Sequence, residues 1–263
     1  MLPRISHCTP RFYSQAVAVL TKFHTPTQHH TVSKRPQQQS QKCIREQLRE
    51  LLRETAQPVA VVTAFMPPSS ASSQQTTNRS SLSVKALHHG ATLSSFTSIA
   101  MDPYPLVTFA LRIPSRMATT LNLAASLPQN KTPAQMVINI LSSTQSKHAL
   151  AFSRPDLYPT PFTDPDIVYT LSQEGIPVLE GSLGAISCRL VGRSMPLHDL
   201  EFLTSAEEEG RRRAALKKGA VASELFIAQV TRVEALASTP MLPLLYHRKK
   251  FTSCIPCPPD PLS

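Results

Sequence analysis

Glycine is scarce in this chain, and that scarcity does most to narrow what it can fold into. Only seven glycines occur in 263 residues, at positions 90, 175, 181, 184, 192, 210 and 219. A loop that wraps a phosphate in backbone N–H groups needs several glycines close together, because other side chains block the approach. Neither G-x-G-x-x-G nor a Gly-rich loop closing on Gly-Lys-Ser/Thr can be written with these positions. Rossmann dinucleotide folds and P-loop nucleotidases are thereby excluded. A phosphate bound here must rest on hydroxyls, arginines and helix N-termini.

The net charge of +10 would point to nucleic acid if it were spread over a folded surface. It is not. Residues 1–45 hold Arg4, Arg11, Lys22, Lys34, Arg35, Lys42 and Arg45 and no carboxylate. The remaining 20 lysines and arginines exceed the 17 acids by only three, with no tryptophan and no basic stripe, so a nucleic-acid partner is not expected. An acid-free, hydroxyl-bearing basic N-terminus has the composition of a mitochondrial transit peptide. We read residues 1–43 as such a leader with a disordered linker, cleaved after Tyr13 in Arg11-Phe12-Tyr13-Ser14, which directs the protein to the matrix. A plain disordered basic tail is the alternative reading of the same composition. No run of about eighteen apolar residues exists to span a membrane.

Cys8, Cys43, Cys188, Cys254 and Cys257 are too scattered for a disulfide framework, which implies a reducing compartment. Cys254-Ile-Pro-Cys257 has redox or half-zinc spacing, but it lacks partner ligands and sits in a Pro-rich tail, so no metal is assigned.

With 41% apolar residues the rest can bury a sizeable core. Ile44, Leu48, Leu51, Leu52 and Ala56 share one face of an amphipathic helix over 44–56, and Val59-Ala-Val-Val-Thr-Ala-Phe65 reads as a buried strand. Residues 67–88, rich in Ser, Gln and Thr, read as a mobile loop between two hairpin strands. His88 and His89 follow it; neighbours on a strand point to opposite faces, so they read as a solvated pair rather than metal ligands. Further strands are expected over 90–99, 106–111, 135–141, 176–195 and 223–235, with helices starting at Pro114-Ser115-Arg116 and spanning 144–152. Residues 154–166 form a proline-broken loop, 199–222 a charged surface insertion, 243–251 a last ordered segment, and 253–263 a frayed tail. Six or more mostly antiparallel strands with short peripheral helices predict a closed, mainly β barrel.

Three hydroxyl-rich segments could form a site: Thr92-Leu-Ser-Ser-Phe-Thr-Ser98, Arg112-Ile-Pro-Ser-Arg116 and Asn139-Ile-Leu-Ser-Ser143. Hydroxyls at strand ends and a Ser-Arg pair opening a helix suit a phosphorylated ring ligand. The same residues are common in strands and helix caps, so spacing alone leaves an ordinary structural role open.

Resemblance goes further. Gln57-Pro-Val-Ala-Val-Val-Thr-Ala64, Gly90-Ala-Thr-Leu-Ser-Ser-Phe-Thr-Ser98 with Asp102-Pro103, Ile113-Pro-Ser-Arg116, Val137-Ile-Asn-Ile-Leu141, Pro177-Val-Leu-Glu-Gly181 and Pro243-Leu-Leu-Tyr-His-Arg248 stand in register. In that order they resemble the flavin reductase-like family of FMN-binding split barrels, in a mitochondrial fungal-type form, over residues 44–252. The resemblance implies a homodimer with FMN at its interface. It also implies reduction of flavin by NADH or NADPH, in some members for a separate flavin-dependent monooxygenase. It places Thr92, Ser94 and Ser95 against the flavin ring and ribityl chain, Ser115 and Arg116 on the phosphate, and Asn139 in the strand bordering the ring. His247, as the catalytic residue, and Arg248 fall on the nicotinamide side.

Two residues depart from the family pattern: Met117, where threonine is frequent, and Ala228, where glycine is usual. With the long insertions, they keep open a non-catalytic flavin-binding split barrel. No G-x-S-x-G or H-E-x-x-H motif offers a competing hydrolase or metalloprotease site.

Overall fold

The computed structural model describes residues 35–66, 88–126, 134–198, 222–237 and 239–255. The expected leader up to residue 34, its cleavage point, the Ser-rich segment from 67 to 87, the charged block from 199 to 221, and Cys257 lie outside the described residues. The chain divides after Glu46, and the unit Gln47–Ser263 carries the described β-structure.

The amphipathic helix α1 runs Arg35–Arg53, starting earlier than its apolar pattern, and Leu48, Leu51 and Leu52 remain exposed on it. The strands that follow are β1 (Gln57–Pro58), β2 (Ala60–Phe65), β3 (His88–Leu93), β4 (Thr97–Ala100) and β5 (Leu106–Ile113). Helix α2 (Arg116–Ser126), β6 (Met136–Ile140) and α3 (Ser146–Ser153) come next, and a short 3-10 turn at Pro161–Thr163 interrupts the proline-broken loop. The chain continues through β7 (Tyr169–Leu171), β8 (Pro177–Leu179), β9 (Gly184–Leu190), β10 (Met195–Pro196), β11 (Ala222–Leu236), β12 (Leu245–His247) and β13 (Lys250–Thr252).

Every strand pairing is antiparallel. The main sheet runs β3-β2-β6-β9-β11-β5-β4 with β10 hung on β11, flanked by small sheets β1-β12-β13 and β7-β8. As expected, β2 and β3 pair across the Ser-rich segment, Ala60 opposite Leu93 and Phe65 opposite His88.

The apolar run of β2 is explained by burial on both faces, since side chains alternate along a strand. Ala60, Val62 and Ala64 enter an inner core with Leu93, Phe109, Met117, Leu121, Met136, Ile138 and Phe226. Val59, just ahead of the strand, and Val61 enter an outer core with Leu141, Phe152, Phe162, Leu179 and Leu244, beneath α3 and the proline-broken loop. Phe109 and Phe226, opposite each other on β5 and β11, stack with centroids 5.4 Å apart. Ala228 is fully buried between Val107 and Leu190, where its methyl group fills core space.

One expectation gains detail and one needs correction. The C-terminal segment is a hairpin, β12–β13, turning through Arg248 and Lys249 at φ 47° and 64°. The histidines do point to opposite faces, but neither is simply solvated. His88 is buried beside Phe65, Phe162 and Tyr169, with Nε2 3.0 Å from the Gly175 carbonyl. Burial lowers its pKa, only partly offset by the Gly175 contact. His148 is lowered too, first by burial and against the pull of Asp164 and Asp166.

These depressed values fix the sign of an acid effect. Below the ordinary histidine value of about 6.5 the unfolded chain takes up protons that the folded chain resists. Stability therefore falls as pH drops from 7.5 towards 5.5. His88→Gln, which cannot take up that proton, should flatten the slope of urea midpoints against pH. An unaltered slope would place the effect elsewhere.

Candidate functional site

A cavity of about 800 Å³ opens where β3, the end of β5, the start of α2, the end of α3 and the β12–β13 hairpin converge. Its size lies within the usual range for small-molecule sites. The start of α2 is set by Ser115, whose Oγ accepts the Ala118 N–H at 3.1 Å as an N-cap. The hydroxyl proton of Ser115 remains available to a ligand. With no acidic side chain in its first turn, α2 directs its free N–H groups and positive dipole end at the same corner. Arg112, Arg116 and His89 line that corner. Burial, then the neighbouring Arg116 charge, lowers the His89 pKa, so a neutral imidazole stands beside the guanidinium at neutral pH.

Five of the expected residues meet here: Thr92, Ser94, Ser95, Ser115 and Arg116 all line the cavity. Two of the hydroxyls are already tied to backbone. Thr92 Oγ1 donates to the Ala149 carbonyl at 2.7 Å, and Ser95 Oγ accepts the Ala110 N–H at 2.8 Å. Ser94 and Ser95 are both exposed on this wall, whereas Thr92 is half-buried.

The other three expected residues do not line it. Asn139 is fully buried between β2 and β8: its Oδ1 accepts the Leu179 N–H at 2.8 Å and its Nδ2 donates to the Val61 carbonyl at 3.2 Å. Arg248 turns its guanidinium to Glu54, with Nε donating to Oε2 at 2.9 Å. Its own N–H donates to the Arg53 carbonyl at 3.1 Å. His247 is half-buried outside the lining, whereas its neighbour Tyr246 takes the cavity face together with Phe251, their rings edge-on at 5.6 Å. Strand alternation accounts for the swap.

Phe152, Asp156 and His89 also line the cavity and carried no signal as site residues. Phe152 explains Gly90: a Cβ at position 90 would sit 2.5 Å from the Phe152 ring. Gly90→Ala should cost about 1–3 kcal/mol through overpacking and weaken ligand binding by displacing that ring. Thermal melts and ligand titration check this, and an unshifted melt would mean that Phe152 swings aside freely. Met117 fills the core beneath α2 with no exposed surface, so it contributes packing where a threonine could offer a hydroxyl. Burial pushes the Cys188 thiol up to about 12, which keeps it inert.

The Flavin reductase like domain profile matches residues 52–254, most of the chain and all of the cavity. This chain belongs to the flavin reductase-like domain family. The family membership expected from the six motifs is therefore established, and so is the mainly antiparallel β fold. A flavin reductase of Pseudomonas putida is 33% identical over 101 residues, 38% of this chain and 51% of that protein. The chain thus spans about half the length of that curated relative. Among solved structures, the styrene monooxygenase flavin reductase of Pseudomonas putida S12 aligns with TM-score 0.51 and 21% identity over 81% of this chain and 99% of its own. An NADH:FAD oxidoreductase of Streptomyces globisporus C-1027, solved with NAD and FAD fragments, aligns with TM-score 0.51 and 20% identity over 82% and 94%. A flavin reductase domain protein of Arthrobacter sp. FB24 gives 0.52 and 17% over 81% and 98%. At these identities the likeness carries the split-barrel fold alone.

Proposed function

We propose that this flavin reductase-like chain is an FMN-dependent reductase that passes hydride from NADH or NADPH to flavin. The observation that carries this reading is the cavity corner where Arg112, Arg116, Ser115 and the start of α2 converge beside the β3 wall. That donor set suits a phosphate monoester without glycine, and the flat wall of Gly90, Thr92 and Ser94 over Phe152 suits a planar ring. FMN bound there would supply the hydride-accepting chemistry, so the chain needs no acid–base dyad of its own. Arg116 and Ser115 would grip and orient the phosphate. The tied hydroxyls of Thr92 and Ser95 hold the wall rigid, and Tyr246 and Phe251 offer aromatic surface to a second ring.

The test is a spectrum and a turnover assay. Purified protein should be yellow or bind added FMN, and should oxidise NADH or NADPH faster when flavin is supplied. A colourless protein that leaves FMN fluorescence unchanged removes the proposal. Tight flavin binding without turnover would favour the non-catalytic split barrel.

The proposal includes a homodimer. Its support is edge strand β4 and the turn after it, which expose Ile99, Met101 and Tyr104. A flavin-dependent monooxygenase is the natural consumer of the product, and the mitochondrial matrix is proposed from the acid-free residues 1–43. Among the described residues, no helix is long and apolar enough to cross a membrane. N-terminal sequencing after import should find Ser14 first.

A further inference from the structure

The cavity is electrically lopsided. Its α2 corner holds Arg112 and Arg116, while the stretch that follows α3 adds the acidic residue Asp156 to the lining. Arg154 belongs to the same stretch but does not line the cavity. Its guanidinium is turned onto Asp156, with Nε donating to Oδ1 at 2.9 Å and Nη2 to Oδ2 at 2.7 Å. This two-point contact fixes the plane of the carboxylate and engages the cation. The turn beneath is closed as well: the N–H groups of Leu157 and Tyr158 donate to the Arg154 carbonyl at 3.0 and 2.8 Å. The Arg154 hydrogen bond also holds the Asp156 carboxyl below the usual range, so it is charged throughout the neutral region.

A carboxylate has about four lone-pair directions; the Arg154 fork takes two of them, and the backbone N–H groups of Asp156 and Leu157 also act on it and help to lower its pKa. The carboxylate is still more than half exposed, so it can also accept protons from a vicinal diol. A phosphomonoester at the same carbon brings about −1.5 to −2 of charge and no proton to donate, so it is repelled. In Rossmann dinucleotide sites, a different fold that poses the same chemical choice, an acid selects the free ribose 2′-hydroxyl and an arginine accommodates the 2′-phosphate. Here both residue types are present, and the acid has captured the arginine.

We propose that Asp156 is the specificity-determining residue of this cavity: it accepts the ribose hydroxyls of NADH, repels the 2′-phosphate of NADPH, and keeps Arg154 from serving that phosphate. The inference rests on the proposed hydride transfer for its kinetic readout, but a binding readout does not need turnover.

The full chain, Asp156→Ser and Arg154→Ala are compared with added FMN. The unaltered protein should show kcat/KM for NADH at least tenfold above that for NADPH. Asp156→Ser should narrow or invert that ratio through KM for NADPH, because it removes the repulsion and frees Arg154. Arg154→Ala should keep the preference or widen it. The two substitutions break the same ion pair, so a merely structural pair predicts the same change from both. Parallel shifts, or an unaltered protein that does not prefer NADH, overturn the assignment. If neither nucleotide is oxidised, the reductase reading fails, and thermal shifts with NAD⁺ and NADP⁺ still decide: preference for NAD⁺ lost only in Asp156→Ser supports the role, and equal shifts in the unaltered protein refute it.

Discussion

Arg116→Ala is expected to weaken FMN binding by about 1.5–3 kcal/mol, the range for a hydrogen bond to a charged group, or roughly ten- to a hundredfold in Kd. Arg116 stands at the first position of α2, beside the Ser115 cap and on the cavity wall. It therefore adds a full charge and a two-pronged donor where the helix end already supplies partial positive charge. Arg116→Lys should fall between, retaining the charge but losing the fork. Ser115→Ala should act differently: it removes the cap over Ala118 and costs about 1 kcal/mol of stability, alongside a smaller loss of affinity. Fluorescence titration of FMN at two salt concentrations separates these effects, because screening reduces the charge contribution. Riboflavin, which lacks the phosphate, should bind the parent and Arg116→Ala almost equally. An FMN affinity that survives Arg116→Ala would place the phosphate elsewhere.

What could be read in the chain and what could not divide along a physical line. The cap at Ser115 and the doubly buried strand β2 are written locally, in a helix-start signature and an unbroken apolar run, and both stand where expected. The face that a side chain takes is not local. The segment ending in Tyr246-His247-Arg248 lies beside the cavity, but a shift of one residue along β12 exchanges His247 for Tyr246 at the wall. The hairpin itself was hidden because its turn uses Arg248 and Lys249 at positive φ, where glycine or asparagine would have announced it. Arg248 meets a partner 194 residues away, and Asp156 sits in a turn with no pattern of its own. Such placements depend on which elements pack together, and short-range periodicity does not encode that.

Asn139→Ala should lower stability by about 2–4 kcal/mol while leaving the FMN affinity of the folded protein within about twofold. An asparagine on a central strand is buried at a cost unless every polar atom is satisfied. Here Oδ1 accepts the Leu179 N–H and Nδ2 donates to the Val61 carbonyl, so the side-chain amide stands in for a strand partner and joins β8 to the main sheet. Thr63 works alongside it, its Oγ1 donating to the Pro177 carbonyl at 2.6 Å. Truncation to alanine strands the buried Leu179 N–H, a loss of about 1–3 kcal/mol, and leaves a small void besides. For a domain of this size the melting temperature should drop by roughly 5–15 °C. Thr63→Val should destabilise less, and the double variant should fall short of the sum, because the two side chains approach to 3.4 Å and serve the same β8 segment. A strong loss of FMN affinity with an unshifted melt would instead return Asn139 to the ligand and remove its role as the stitch between the sheets.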